Sequence, residues 1–326
     1  MASFKYKDIY LNNCYSIAGT YENNGILKNV NRYLKDFYDK EKTIEDAEIK
    51  LQKEVLTNLI TKNTDLIVGG DLMNQITATS SSVVNNNISF LGLYNACATF
   101  CGSVITLSNF LNSRLIKEGI AITSGHNLAS EKQFRFPNEY GSHKPIYTTF
   151  TTTGSVGVTV SKKPSNIKVI SSTLGSVVDM GIKDPNNMGA VMAPSAVKTL
   201  MEHLKYTNTT TKDYDLILTG DLGIVGKMIL KEYMKKEYNI NLKNYDDSAC
   251  MIFDIDKQPV YMGGSGVSCL PLVTYTHILD KMKKGKLNKV LLVATGALMN
   301  PGMCNQHLSI PSIAHAISLE AVKWHI

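Results

Sequence analysis

The apolar positions of this chain fall into two kinds of run. Some stretches are apolar at nearly every position, as in Leu66-Ile67-Val68, Ala121-Ile122 and Leu216-Ile217-Leu218. Unbroken apolarity over a few residues predicts strands buried on both faces. Elsewhere the spacing is helical. Ile44, Ala47, Leu51, Val55 and Leu59 form one stripe, opened by Thr43 as the expected N-cap. Met201 and His203 sit in a similar helix after Pro194, and Ile9 to Tyr15 reads as a further strand. Strands alternating with helices predict α/β layers.

The pattern occurs twice. Asp65 to Leu72 ends in Gly70-Asp71-Leu72, and Asp215 to Leu222 ends in Gly220-Asp221-Leu222. Ala121-Ile122-Thr123-Ser124-Gly125 is matched later by Val293-Ala294-Thr295-Gly296. Each of these follows a helix that opens at a small-residue turn, at Tyr94 to Thr99 and at Gly263 to Ser268. Cys97 and Ser268 stand at the same distance before Gly125 and Gly296. One repeat near half the chain length means two fused α/β units whose helices share a central layer. The loop-like run Pro185 to Pro194 separates them, with the boundary near 170–185. The expected halves are 1–175, which bears Cys97, and 176–326.

Composition narrows the classes. The chain has 326 residues, 44% hydrophobic and 19% charged, enough apolar surface for a sizeable core. A transmembrane helix needs about 18 or more apolar residues in a row. The best window, Phe90 to Leu111, is broken by Asn95, Ser108 and Asn109. Met1 to Lys5 leads straight into a strand-like run, so no signal peptide is expected, and the chain reads as cytoplasmic unless a partner holds it at a membrane. The net charge of +6 is mild. The Lys281 to Lys286 run and Lys235-Lys236 end predicted helices, where lysine complements the dipole, so no nucleic-acid partner is expected. The six cysteines contain no Cys-x-x-Cys pair and read as free thiols, with no zinc site. No dinucleotide or Walker fingerprint is present, so no cofactor is expected.

Cys97 follows an apolar strand and opens a helix, where free N–H groups and the dipole favour a thiolate. That is the setting of an acyl-accepting nucleophile, although small buried cysteines are also common at such turns. His126, ending a strand in the same half, and His307 and His315, near the end of the chain, are the histidines that could reach a shared cleft. Lys132 and Arg135 share a face if helical and could hold an anion; a solvated loop anchored by Phe134 and Phe136 is the plainer alternative. Asp71 and Asp221 end equivalent strands, where an aspartate commonly caps the next helix.

These residues carry a family resemblance. The duplicated halves with Cys97 at the strand-to-helix turn resemble the thiolase and ketoacyl synthase superfamily. Within it, Gly70 to Thr77, Ala96 to Thr99, Ser124 to Gly141, Val178 to Gly181, Asp184 to Gly189, Thr219 to Gly223, Ala294 to Leu298 and Ser309 to Glu320 are similar to the stage V sporulation AD family of spore-forming bacteria. The resemblance implies a thiolase-like α-β-α-β-α fold and a homodimer. It implies a part in the spore's dipicolinate uptake machinery. The ligand would be dipicolinic acid (pyridine-2,6-dicarboxylate), alone or as its calcium chelate. The partners would be other membrane proteins of that machinery, with the chain in the cytoplasm or forespore and peripheral to the spore inner membrane. The ligand site would hold Cys97, Ala98, His126, Asn127, Lys132, Arg135, Asn187 and His315. One departure matters. Ketoacyl synthases pair the cysteine with a His and a second His or Asn from the second half. The matching places here hold Ile224 and Gly263 to Gly266. The resemblance therefore implies a binding protein with Cys97 as a vestigial nucleophile. The alternative is an acyltransferase that forms a thioester at Cys97.

Overall fold

Ten strands form the frame of the computed structural model, which describes residues 1–134 and 144–322. In chain order they are β1 Tyr10–Ala18, β2 Leu66–Gly70, β3 Ser89–Gly92, β4 Glu118–Gly125 and β5 Gly154–Ser161, then β6 Ile167–Leu174, β7 Leu216–Thr219, β8 Tyr245–Asp247, β9 Lys289–Ala297 and β10 Ser312–Ala321. Side by side they run β3-β2-β4-β5-β1-β6-β10-β9-β7-β8. Read outward from the centre, the two halves repeat the same order. The duplicated Gly-Asp-Leu strands, β2 and β7, occupy equivalent places, each parallel to both of its neighbours. By this order β6 is the twin of β1. The short connection 162–166 leads from β5 into β6. Across the centre, β1 and β6 share only the pairs Tyr10↔Lys168 and Leu11↔Ile167.

The main helices are α1 Ile44–Leu59, α2 Thr77–Ser82, α3 Thr99–Asn112, α4 Asn127–Phe134, α5 Met188–Thr207 and α6 Gly223–Tyr238. A seventh, α7, joins Cys269–Val273, the π turn Thr274–Ile278 and Leu279–Lys283. Thr43 caps α1 as its sequence predicts, its hydroxyl oxygen accepting the Asp46 N–H at 3.0 Å.

Alternation along the strands sorts the core into layers. Ile67, Ile120 and Ile122 face Leu51, Val55 and Leu59 of α1. Their neighbours Leu66, Val68 and Ala121 face the opposite way, into a core shared with Phe100 and Leu107 of α3. The second half mirrors this. Ile217, Leu291 and Val293 pack outward with residues of α5 and α6, while Leu218, Val290 and Leu292 join the shared core. Strands β2, β4, β7 and β9 are buried at nearly every position because both of their faces are covered. Helices α3 and α7 form the middle layer and touch strands of both halves. Two sheets therefore enclose one helical layer and carry another on each outer face. Each fully buried aliphatic side chain in these layers contributes about 1.5–3 kcal/mol. Among the described residues, no helix is long and apolar enough to cross a membrane.

Candidate functional site

The carboxyl ends of β2, β4, β7 and β9 point to one end of the molecule, and there the turn before α3 carries Cys97. This turn is strained. Ala96 has φ of +47°, unusual for a residue with a side chain. Thr99 stitches it together, its hydroxyl donating to the Ala96 carbonyl at 2.6 Å and accepting the Asn95 N–H at 3.0 Å. Gly296 of β9 lets the turn approach closely: a Cβ there would stand 2.3 Å from the Asn95 oxygen. Such strain gathers at functional sites. The turn leaves Cys97 half-buried at the start of α3, where no side chain caps the helix.

A cleft of about 60 Å³ opens on the thiol. The first half supplies Leu72, Tyr94, Ser130, Phe134 and Thr151; the second supplies Met188, Met192, Ser265, Gly266, Ala297 and Met299. Its wall is mostly apolar. A wider recess of about 690 Å³ adjoins it across Tyr94, Phe134 and Met299.

Behind the thiol lies Asp221, fully buried and with φ of +66°. Its carboxyl faces the thiols of Cys97 and Cys269 and the N–H of Gly266. Neither oxygen completes a well-aligned hydrogen bond. Burial, then the charge of Asp247, raises its pKa well above the ordinary carboxylate value. This corrects the expectation that Asp221 caps α6. Asp247, at the end of β8, does so instead. Its carboxylate accepts the N–H groups of Gly223 at 3.1 Å, Leu222 at 3.3 Å and Ala249 at 3.0 Å, and the Thr219 hydroxyl at 2.6 Å. Asp71 does hold the helix that follows it, accepting from Met73 N–H at 2.8 Å, Thr79 N–H at 2.7 Å and the Thr79 hydroxyl at 2.6 Å.

The structure brings only part of the expected site together. Cys97 lines the cleft, with Ala98 buried directly behind it. His126 is buried elsewhere, donating from Nε2 to the Phe37 carbonyl at 2.7 Å with its ring edge against Phe37. Burial lowers its pKa. Asn127 fastens α4 to the neighbouring chain through the Thr151 carbonyl at 2.9 Å. Lys132 is well exposed and turns to Glu45, at 3.5 Å. Arg135 lies outside the described residues. Asn187 caps α5, accepting the Ala190 N–H at 3.4 Å. His315 lies on β10 beside α3, accepting the Gly175 N–H through Nδ1 at 3.2 Å, and burial lowers its pKa to about 4. His307 is exposed. Among the described residues, no histidine or asparagine lines the cleft.

Sequence reasoning passed over Lys144, whose Nζ pairs with the buried Glu131 at 2.9 Å. It also passed over the methionines that face Cys97 from the second half. The small-residue turn Gly263 to Gly266, twin of the Cys97 turn, was the signal that this loop would meet it.

Comparison with known proteins agrees with this architecture. Residues 2–320 match the family described as Stage V sporulation protein AD. The Stage V sporulation protein AD of Bacillus subtilis (strain 168) is 40% identical over 320 residues, covering 96% of this chain and 94% of that protein. The chain belongs to the Stage V sporulation protein AD family. The structures that resemble this family member are enzymes of the thiolase-like fold. A 3-oxoacyl-[acyl-carrier-protein] synthase III from Aquifex aeolicus VF5 superposes with a TM-score of 0.57 at 13% identity, covering 96% of this chain and 99% of that one. A point variant of Xanthomonas campestris OleA gives 0.59 at 10% identity, covering 96% and 97%. The Acat5 thiolase of Ascaris suum, solved in complex with coenzyme A, gives 0.55 at 10% identity, covering 97% and 100%. At such identities the likeness establishes the fold of this Stage V sporulation protein AD relative, and function is argued from its own site.

Proposed function

We propose that this sporulation protein is a non-enzymatic binder of dipicolinic acid, serving the dipicolinate uptake machinery of the spore. One observation carries the reading: the thiol faces a mostly apolar cleft, built from both halves, that no described histidine or asparagine lines. A condensing cycle needs a base and an oxyanion site beside its nucleophile. A binder of a flat aromatic dicarboxylate needs an apolar slot and N–H donors. Leu72, Phe134, Met192 and Met299 supply apolar walls, and the positive end of the α3 dipole lies beside the thiol, where it favours a carboxylate. Calcium, if it travels with the ligand, would come as the chelate. Among the described residues, no group of three or more His, Cys, Asp or Glu is arranged to hold a metal.

The protein would work in the cytoplasm or forespore, peripheral to the spore inner membrane, beside the membrane proteins of that machinery. It would pair as a homodimer through β3, which ends the sheet of the Cys97-bearing half. Calorimetry with dipicolinate, with and without calcium, tests the reading; no heat of binding in either case would sink it. Mass spectrometry after incubation with acyl-coenzyme A tests the acyltransferase alternative, which requires an adduct on Cys97.

A further inference from the structure

The carboxyl strand ends gather the cleft, so the amino ends of β2, β4, β7 and β9 and the carboxyl ends of α1, α3, α5 and α7 gather at the opposite end. The segments that close that end are 5–8, 60–65, 83–88, 112–118, 161–168, 205–215, 235–244, 281–289 and 320–322. They hold eighteen of the 34 Lys and Arg but seven of the 28 Asp and Glu. The rest of the chain is net acidic, so the whole positive excess sits at one pole.

The acids at this pole do not cancel the lysines. Asp65 accepts the Lys117 N–H at 2.6 Å, and its twin Asp215 accepts those of Asn288 at 2.6 Å and Lys289 at 3.0 Å. Glu118 accepts the hydroxyls of Thr61 and Thr64. These carboxylates turn to backbone N–H groups and hydroxyls and keep their charge, yet the pole retains an excess of eleven positive charges, eighteen less seven. Among the described residues, Lys284 of these segments pairs with Asp280, one helical turn earlier and just outside them. Apolar and aromatic groups stand between the cations. Leu115 is 69% exposed between Arg114 and Lys117, and Tyr206 is exposed under Lys5, whose Nζ lies 5.7 Å from the ring centre. Lys168 and Lys289 lie over Tyr10 and Tyr214 in the same way.

We propose that this pole is a docking face for an anionic lipid bilayer. Seventeen of its eighteen cations are lysine, a point charge suited to a diffuse negative surface, whereas specific phosphate and base recognition favours the arginine fork. Exposed Leu115 and Tyr206 suit the apolar boundary beneath lipid headgroups. Docked this way, the protein presents the cleft away from the bilayer, roughly 20–30 Å off by the length of its core helices. The inference rests on the peripheral membrane location proposed above but not on the ligand.

The test is partition of the full chain onto vesicles of phosphatidylcholine with about one-third phosphatidylglycerol, against phosphatidylcholine alone, without dipicolinate. Binding is expected only to the anionic vesicles and should weaken as sodium chloride rises. Combining Lys162→Glu, Lys163→Glu, Lys283→Glu and Lys286→Glu should lower partition at least tenfold. Lys35→Glu with Lys42→Glu, at the other pole, should leave it unchanged. If the quadruple variant does not fold, each pair is used alone. No partition onto anionic vesicles at low salt, equal loss with the control pair, or tighter binding to duplex DNA at matched salt would overturn the proposal. Dipicolinate calorimetry on the same variants separates the two readings: a chain that binds vesicles but not dipicolinate loses only the ligand assignment.

Discussion

The carboxyl of Asp247 stands beside that of Asp221, and its charge adds to burial in raising the Asp221 pKa. Asp247 itself is raised to about 6, because burial outweighs the four hydrogen bonds that favour its charged form. One carboxyl thus organises the start of α6, and the other is left behind Cys97 without a helix to cap.

The two should respond differently to amidation. Asp221→Asn removes no helix-capping hydrogen bond and should change the unfolding free energy by less than about 1 kcal/mol. Asp247→Asn takes away an acceptor shared by three backbone N–H groups and should cost about 1.5–3 kcal/mol. Urea denaturation at pH 7 checks both, and equal losses would contradict the division of labour.

Stability should fall as pH rises from about 4.5 to 8. Burial, then the charge of Asp71, raises Glu48 from 4.5 to about 8, and burial raises Glu22 to about 7. Below 4.5 both states hold these protons. Between 4.5 and the folded values the unfolded chain releases protons that the folded chain keeps, so the stabilisation is lost through that window. Glu48→Gln keeps an acceptor for the Ser124 hydroxyl, now at 2.7 Å, and removes the titration. Its denaturation midpoint should vary less with pH than that of the wild type.

Gly296→Ala should disturb the Cys97 turn directly. The new methyl would stand 2.3 Å from the Asn95 oxygen and 3.2 Å from the Ala98 nitrogen. Overpacking of this kind costs about 1–3 kcal/mol. The alkylation rate of Cys97 should change with it. A variant as stable as wild type, with unaltered alkylation, would mean the turn is not held by β9.

For dipicolinate, Cys97→Ala should weaken binding by no more than about 1–3 kcal/mol, the effect of a small change in an apolar pocket. Lys132→Ala should matter less still, since that side chain turns outward to Glu45. Calorimetry decides. Complete loss of binding in the Lys132 variant would mean that its side chain swings into the cleft.

Much of the frame was legible in the sequence because periodicity reports burial. The stripe on α1, its Thr43 cap, the paired Gly-Asp-Leu strand ends and the strand-to-helix turn at Cys97 all follow from local chemistry. The layers were less so, since Ile67 and Val68 look alike in the sequence yet face different helices. The site was legible only at Cys97. His126 sits at a strand end, as expected, but a strand end offers several directions, and Phe37, remote in sequence, takes this ring. Asp71 and Asp221 share a motif, but the left-handed backbone at Asp221 turns its carboxyl away from its own helix. No local pattern announces that an aspartate from the next strand has taken over the cap.

That substitution of one aspartate for another has an evolutionary side. A duplicated chain begins with two copies of every strand-end carboxylate, each tied to the helix that follows. Once Asp247 holds α6 from the flank, its neighbour is released from structural duty while still anchored next to the reactive turn. Position 221 can then drift toward whatever chemistry the cleft requires without unravelling the half that carries it, a freedom its twin at 71, still bound to Thr79, does not have.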